Sequence, residues 1–176
     1  MAEIDDTPDH PESRLSAPVP LTTEHDLSAF DCGEPALNDW LRRRALKNES
    51  RFSRTYVVCA DDRVVGYFCI SAGSVERGTA PGKMRRNAPD LIPVSIIGRL
   101  AVSRDHAGKG LGADLLADAL RRIAVASQSI GIRAVMVQAK DEAARYFYLR
   151  CAEFMEYPDD SRTLFLPIET VIAGFG

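Results

Sequence analysis

The sequence predicts a mixed α/β domain in which a central β-sheet is flanked by helices. Runs rich in β-branched residues alternate with segments of helical periodicity, in the order strand, helix, three strands, helix, strand, helix and closing strands. The chain has 176 residues, of which 45% are hydrophobic and 27% are charged, and its formal net charge is −3. This composition is typical of one soluble globular domain rather than of a disordered chain.

The N-terminal segment is predicted to hold an acidic tail, an edge strand and one helix. Residues 1–14 contain five acids and one base, so we expect them to be disordered and the domain to span 15–176. Two prolines without N–H groups confine a predicted strand, Arg14–Leu21, to an edge of the sheet. Apolar residues at helical spacing then predict a helix over Pro35–Asn48, namely Leu37, Trp40, Leu41 and Ala45.

The middle of the chain is predicted to form most of the sheet. Thr55–Ala60 and Val64–Gly73 are β-rich and are separated by a polar turn, which predicts a hairpin. Gly78–Pro93 has no periodicity and is predicted to be a loop. Val94–Val102 is predicted to be a strand, and Gly98 inside it indicates a β-bulge or the close approach of a ligand.

The C-terminal part is predicted to alternate helices with strands. Ala113–Ser127 carries its leucines on one helical face, and Glu142–Leu149 is predicted to be a shorter helix. Ala134–Ala139 between them is predicted to be a strand. Phe154–Met155 and Leu164–Ile168 are predicted to close the sheet as a strand pair.

Composition excludes several classes of protein. No apolar run approaches the roughly 20 residues that a membrane helix needs, and the N-terminus is not basic and then apolar like a secretory signal. We therefore expect a cytoplasmic protein that makes no membrane contact. The four cysteines and three histidines lack the paired spacing of metal ligands, so the sequence predicts neither a metal site nor a disulfide framework.

Basic residues are concentrated in two segments of the chain. In residues 42–54 six bases oppose one acid, and residues 77–86 contain four bases and no acid. Such clusters favour a polyanionic partner, such as RNA or a phosphorylated cofactor. A solvated helix face gives the same pattern, so both interpretations stay open.

Alternating glycines at 108, 110 and 112 lie between a predicted strand and a predicted helix. The free N–H groups and positive dipole end of a helix N-terminus attract a pyrophosphate. The P-loop pattern requires Lys and then Ser or Thr after its second glycine, whereas Leu111 follows Gly110. The dinucleotide pattern G-x-G-x-x-G is also absent.

The segment Ala107–Gly112 resembles the acetyl-CoA loop of the GNAT N-acetyltransferases, in which Arg or Gln is followed by two residues, Gly, one residue, and Gly or Ala. Gly110 and Gly112 match this pattern, and Ala107 stands where the family has Arg or Gln. The resemblance implies a GNAT fold, with a mixed sheet, splayed central strands and flanking helices. It also implies acetyl-CoA as the cofactor.

From about residue 20 onward the chain resembles one GNAT subgroup, the toxins of bacterial toxin–antitoxin pairs. The resemblance implies acetylation of the α-amine of aminoacyl-tRNA, which inhibits translation, and a ribbon-helix-helix antitoxin as partner. A homodimer is a further open expectation. The similar segments are Phe30–Gly33, Leu37–Leu41, Ala45 with Asn48, Ser53–Thr55 and Val64–Tyr67.

The resemblance also implies which residues bind the cofactor. Main-chain groups of Leu100 and Val102 would pair with the pantetheine amides, and an N–H group near Val102 would face the thioester oxygen. The implied cofactor-binding residues are Leu100, Val102, Ala107, Gly108, Lys109, Gly110, Leu111, Gly112, Ala113 and Phe147.

Tyr148 is the implied catalytic residue, because the family's Ala-x-x-Phe-Tyr segment ends at this position. A phenol with an ordinary pKa near ~10 is protonated at neutral pH and can protonate the departing CoA thiolate. The residues alone also allow Tyr148 to be a core aromatic. Tyr146 lies on roughly the opposite helix face and is expected to pack or to line the substrate side.

The predicted tRNA-binding residues are Arg42, Arg43, Arg44, Lys47, Arg85, Arg86 and Arg99. Arg99 could equally hold a phosphate or form an ion pair within the sheet, and Trp40 is expected in the core. A general base is not required, because α-amines titrate near ~7.7–8.0 and are substantially neutral at working pH. The polar residues considered for that role are Asp105, His106, Asp141 and Glu142.

The sequence therefore predicts an acetyl-CoA-dependent N-acetyltransferase that acts on aminoacyl-tRNA as a toxin. One alternative is an acetyltransferase for small amines, antibiotics or protein N-termini. Another is a non-catalytic module on the same fold that senses acyl-CoA or binds RNA. The fold by itself does not distinguish these functions.

Overall fold

Residues 14–176 are described by a computed structural model, which shows a single mixed sheet of seven strands. The predicted acidic tail, residues 1–14, lies outside the described residues except for Arg14. In chain order the strands are β1 Val19–Pro20, β2 Arg54–Ala60, β3 Arg63–Glu76, β4 Leu91–Val102, β5 Ala134–Gln138, β6 Met155–Tyr157 and β7 Asp160–Pro167. Their order across the sheet is β1-β2-β3-β4-β5-β7-β6, and β4–β5 is the parallel pair.

Six helices flank the sheet in the described part of the chain, and three buried clusters hold them there. One cluster joins α1 and α2 to β2, β3 and the end of β4. A second joins α4, α5 and α6 to the sheet, and a third packs α3 against β4, β5 and β7. The helices are α1 Pro35–Arg43, α2 Ala45–Asn48, α3 Gly82–Arg85, α4 Leu111–Ala126, α5 Glu142–Cys151 and α6 Ile168–Ala173.

The hairpin, the long helix α4 and strand β5 confirm the sequence predictions to within a few residues. The prediction for the first strand was too long, because only Val19–Pro20 forms a strand beside β2. The predicted helix Pro35–Asn48 is wrong in its continuity, since Arg44 with φ −120° separates α1 from α2. Ala45 is fully buried immediately after this break, so tertiary packing overrides local helix propensity.

The predicted loop Gly78–Pro93 is wrong in its middle and at its C-terminal end. Strands β3 and β4 pair out to Glu76 and Leu91, and α3 lies between them. Met84 of α3 is fully buried in the third cluster. A four-residue helix is too short to produce a recognisable periodicity, so its burial is decided by contacts that are distant in sequence.

The predicted closing strand Leu164–Ile168 is confirmed as far as Pro167, and a helix that the sequence did not predict follows it. β7 ends at Pro167, and α6 begins at Ile168. Val171 of α6 is buried in the same cluster as the apolar face of α4. No helix within residues 14–176 combines the length and apolar character required to cross a membrane.

The central strands diverge, as the resemblance implied. β4 pairs with β5 only from Val94 to Ile97, opposite Ala134 to Val137. The rest of β4, as far as Val102, continues beside β3 without β5. The sheet therefore contains an internal edge, which faces the gap between the two strands.

Candidate active site

A turn rich in left-handed glycines precedes α4. Gly108 has φ +75° and Gly110 has φ +85°, and a Cβ atom at either position would meet open space. These φ values favour glycine, because L side chains are strained there. The turn therefore exposes its main chain rather than its side chains, which is the arrangement that a bound anion needs.

The N–H groups of residues 108–113 have no acceptor within residues 14–176. The first helical hydrogen bond is donated by Asp114 to the carbonyl of Gly110, at 3.1 Å. No side chain caps the helix either. The free amides and the positive end of the helix dipole together provide a site for a diphosphate.

The internal edge of the sheet lies next to this turn. Ser103 donates its N–H to the carbonyl of Val65 on the β3 side, at 2.7 Å. Because hydrogen-bonding direction alternates along an antiparallel strand, Leu100 and Val102 direct their N–H and C=O groups away from β3. β5 has already diverged at this level, so these groups face the gap.

Gly98 forms the β-bulge that the sequence indicated. Ile70 pairs with Ile97 and Cys69 pairs with Arg99, which leaves Gly98 as the extra residue. A Cβ atom on Gly98 would lie 3.3 Å from Cys69 Sγ, so a larger residue would crowd this buried thiol. Because the bulge adds one residue, the side chains after it point to the opposite side of the sheet from the one that strict alternation would give. The bulge lies at the point where β4 and β5 separate.

Tyr148 lies in α5 and is almost completely buried. The carboxylate of Asp141 accepts the N–H of Ala144 at 2.8 Å and caps the start of this helix. The rings of Phe147 and Phe154 pack edge-on against Tyr148. Burial, with smaller contributions from Cys69 and Cys151, raises the pKa of Tyr148 from 10 to about 12. The phenol is therefore a group that keeps its proton at neutral pH.

Phe147 brings α5 into contact with the glycine turn. A Cβ atom on Gly112 would lie 3.4 Å from the Phe147 ring and 3.8 Å from Val102 Cγ2. The absence of a side chain at Gly112 thus allows α5, α4 and β4 to approach closely. Residues predicted to bind one cofactor are therefore brought together from three separate elements.

A basic cavity of about 620 Å³ lies on the α1 face of the sheet. Arg99 reaches it from β4, while Arg43 and Arg44 reach it from the end of α1. Leu100, the next residue of β4, belongs instead to the cluster around α4. Adjacent residues of one strand therefore face opposite sides of the sheet, one towards the basic cavity and one towards the cofactor side. The cavity is lined by Ala36, Asp39, Trp40, Arg43, Arg44, Asn48 and Arg99.

Arg99 is held by an aromatic ring rather than by a carboxylate. Its guanidinium carbon lies 4.3 Å from the centre of the Trp40 ring, and no ion pair joins it to an acid within residues 14–176. Trp40 is buried, as predicted, and stacks on Tyr67 at 6.0 Å. Arg99 therefore keeps its positive charge available to an anion in the cavity.

The other predicted tRNA-binding residues do not line this cavity. Arg42 donates hydrogen bonds to the carbonyls of Leu27 and Phe30, so its guanidinium holds the segment before α1. Arg85 is the last residue of α3 and Arg86 its C-cap, and both are exposed. Lys47 is exposed on α2.

Sequence reasoning missed three residues of the site, namely Asp39, Asn48 and Cys69. Asp39 precedes Arg43 by four positions and therefore shares its helix face, which is a signal that the sequence contains. Cys69 meets the bulge only through the pairing of β3 with β4. Within the described residues, no group of three or more His, Cys, Asp or Glu side chains is arranged to hold a metal ion.

The acetyltransferase (GNAT) domain family matches residues 51–151, which is more than half of the chain. The chain belongs to the GNAT acetyltransferase family. The match confirms the resemblance that Ala107–Gly112 indicated, and the seven-stranded sheet confirms the fold class of this GNAT domain.

Relatives of this GNAT domain cover nearly its whole length. It is 44% identical over 165 residues to a tRNA-acetylating toxin of Mycobacterium tuberculosis, a match that covers 93% of this chain and 99% of the relative. It is also similar to AtaT complexed with acetyl-methionyl-tRNAfMet, with a TM-score of 0.83, 31% identity, and coverage of 93% of this chain and 100% of that one. A variant of AtaT bound to acetyl-CoA and the C-terminus of the antitoxin AtaR has a TM-score of 0.78, 30% identity, and coverage of 92% and 98%.

Removal of the Tyr148 hydroxyl should change the alkaline titration of the protein. The folded chain holds this proton more tightly than the unfolded chain, so the stability it contributes is complete below pH 10 and is lost as the pH rises towards 12. Burial also raises the pKa of Tyr67. In an alkaline titration followed by near-ultraviolet absorbance, two phenols should ionise at a higher pH than the other tyrosines. One of these two transitions should be missing in Tyr148→Phe and the other in Tyr67→Phe. A late phase unchanged in Tyr148→Phe would contradict this assignment.

Proposed function

We propose that this protein is an acetyl-CoA-dependent N-acetyltransferase that acetylates the α-amine of aminoacyl-tRNA and acts as the toxin of a toxin–antitoxin pair. The observation that carries the proposal is the placement of a basic cavity directly across β4 from the glycine turn and the internal sheet edge. A cofactor site on one face of β4 and a basic cavity on the other face suit the transfer of an acetyl group from a phosphorylated cofactor to a polyanionic substrate.

The residues on the cofactor side fit acetyl-CoA. The free N–H groups of residues 108–113 match its diphosphate, and the main-chain groups of Leu100 and Val102 match the amides of its pantetheine arm. Ala107 is exposed and offers no polar side chain, so binding in this chain depends on main-chain donors. When bound, acetyl-CoA supplies an acetyl group activated as a thioester.

The protonated phenol of Tyr148 suits a general acid. Its raised pKa keeps the proton on Oη at neutral pH, from where it can pass to a thiolate leaving group. Almost no phenolate is present at neutral pH, so Tyr148 does not serve as a base. The α-amine needs little help, because its ordinary pKa of ~7.7–8.0 leaves a substantial neutral fraction, whereas a lysine amine at ~10.4 would need a base.

The basic cavity suits the end of a charged tRNA. Arg43, Arg44 and Arg99 offer guanidinium groups that bind phosphate oxygens bidentately. Small amines and antibiotics would gain little from three arginines, which favours the RNA acceptor. AtaT, a relative of known structure, is complexed with acetyl-methionyl-tRNAfMet, and this likeness supports the same assignment here.

The proposal extends to the partner and to the compartment. An antitoxin is expected as the partner, because an AtaT variant is bound to the C-terminus of the antitoxin AtaR. The resemblance to the toxin subgroup implies that this antitoxin is a ribbon-helix-helix protein. Charged tRNA occurs in the cytoplasm, so we place the protein there. A homodimer stays a prediction.

Co-expression tests the antitoxin. The small gene beside that of this protein should encode a ribbon-helix-helix protein, and the two products should co-purify and restore growth of cells that express the toxin. Failure of the two chains to associate would overturn the partner assignment and would leave the enzymatic assignment intact.

Tyr148→Phe should lower kcat by about 100-fold, because positioned general acids contribute roughly that factor. The affinity for acetyl-CoA should stay unchanged, since the binding groups are on β4 and the glycine turn. Tyr157→Phe is the matched control, because this phenol lies in β6 against Phe165 and belongs to none of the residues assigned to the site. Steady-state acetylation and calorimetry measure the two quantities. Unchanged turnover in Tyr148→Phe would support a non-catalytic acyl-CoA-sensing module instead.

Charge reversal in the cavity should affect only an RNA acceptor. Arg43→Glu and Arg44→Glu should each raise the KM for charged tRNA and reduce the slope of log KM against log salt by about 1. Arg121→Glu is the matched control, because Arg121 is exposed on α4 across the sheet. Kinetics at several salt concentrations test this. Equal KM values in all three variants would favour a small-amine acceptor.

A further inference from the structure

Phe52 is the most exposed large hydrophobic side chain within residues 14–176. The residue is 72% exposed, and it lies on the loop that joins α2 to β2. Phenylalanine has no polar atom that could gain from this exposure, so the position costs hydrophobic stabilisation. A single exposed ring is common on protein surfaces, so its meaning depends on the loop that holds it and on the charges around it.

The loop holds the ring in a defined place. The N–H groups of Arg51, Phe52 and Ser53 all donate to the carbonyl of Asn48, at 3.2, 3.0 and 3.2 Å. Ser50 adopts a left-handed φ of 66°, which completes the tight turn. Ordering Phe52 on binding therefore costs little backbone entropy.

The surroundings of Phe52 are basic. Arg51 is exposed on the same loop, and the side chain of Arg54 is 59% exposed. The nearby carboxylate of Glu49 already accepts the N–H of Thr55 at 2.9 Å and pairs with Arg54 at 3.3 Å. Its charge is therefore partly compensated by groups of the protein itself.

Asn48 connects this loop to the basic cavity. Its carbonyl anchors the loop, and the same residue lines the cavity beside Arg44. Phe52 thus lies on a loop that starts from the cavity, and it lines a second pocket together with Arg51, Arg54 and Ile70. Exposed Lys47 on the intervening helix α2 continues the positive charge between them.

We propose that Phe52 stacks on an unpaired nucleotide next to the terminal adenosine that carries the amino acid. This inference rests on the proposed function and identifies a second RNA contact, outside the cavity. Proteins bind single-stranded RNA by combining aromatic stacking platforms with basic side chains, and a ring without hydrogen-bonding groups accepts any base. The contact therefore supplies affinity for the RNA end without selecting its sequence.

The test compares charged tRNA with the aminoacyl ester of adenosine, which carries the same amine without neighbouring nucleotides. Phe52→Ala should raise the KM for charged tRNA about tenfold at unchanged kcat and leave the KM for the adenosine ester unchanged. Phe52→Trp should restore the KM, whereas Phe52→Leu, which is apolar but has no π face, should not. Ile130→Ala is the matched control, because Ile130 is also exposed, at 58%.

Binding of uncharged tRNA, measured by fluorescence anisotropy, separates this inference from the proposed function. A wild-type protein that acetylates no charged tRNA would overturn the proposed function, whereas weaker uncharged-tRNA binding by Phe52→Ala would still support the stacking contact. If Phe52→Ala keeps the KM and the uncharged-tRNA affinity of the wild-type protein, the stacking contact is overturned and the proposed function is not affected. Loss of antitoxin binding by Phe52→Ala with unchanged RNA affinity would overturn it too, and would assign the ring to a protein interface.

Discussion

The divergence of β4 from β5 is the constraint on which the rest of the site depends. Main-chain hydrogen bonds between these strands end at Ile97, and beyond this point β4 keeps only its partner β3. Main-chain polar groups are costly to leave without partners, so an open edge inside a sheet is a strong binding surface for an extended polar group. The Gly98 bulge lies at the divergence, where a larger side chain would crowd Cys69.

Chain connectivity places an anion site beside this edge. The main chain leaves β4 at Val102, passes through a short turn and enters α4, so the free amides before the helix are adjacent to the free groups of the strand. The contact of Phe147 with Gly112 then brings α5 against both. The burial of Tyr148 serves two purposes at once, because it stabilises the core and raises the pKa of the phenol.

The basic residues that are clustered in positions 42–54 of the sequence make different contacts in the structure. Arg42 bonds to main-chain carbonyls before α1, whereas Arg43 and Arg44 line the cavity. Arg54 pairs with Glu49, and Phe52 between these charges stays exposed. A count of positive charges therefore overstates the number of arginines available to a polyanion.

The sequence by itself determined the fold class, the glycine turn and the candidacy of Tyr148, because local patterns and a family resemblance contain that information. At Gly98 it indicated either a bulge or a nearby ligand, and the pairing of β3 with β4 shows the bulge. Only the tertiary structure decided that Arg44 breaks the first helix, that α3 and α6 form, and that Arg85 and Arg86 lie outside the basic cavity. The tertiary structure also places the Arg99 guanidinium over the Trp40 ring, and it places Cys69 Sγ next to Gly98 of the bulge. These features arise from contacts between residues distant in the chain, whose packing energy exceeds the local preferences that a sequence pattern reveals.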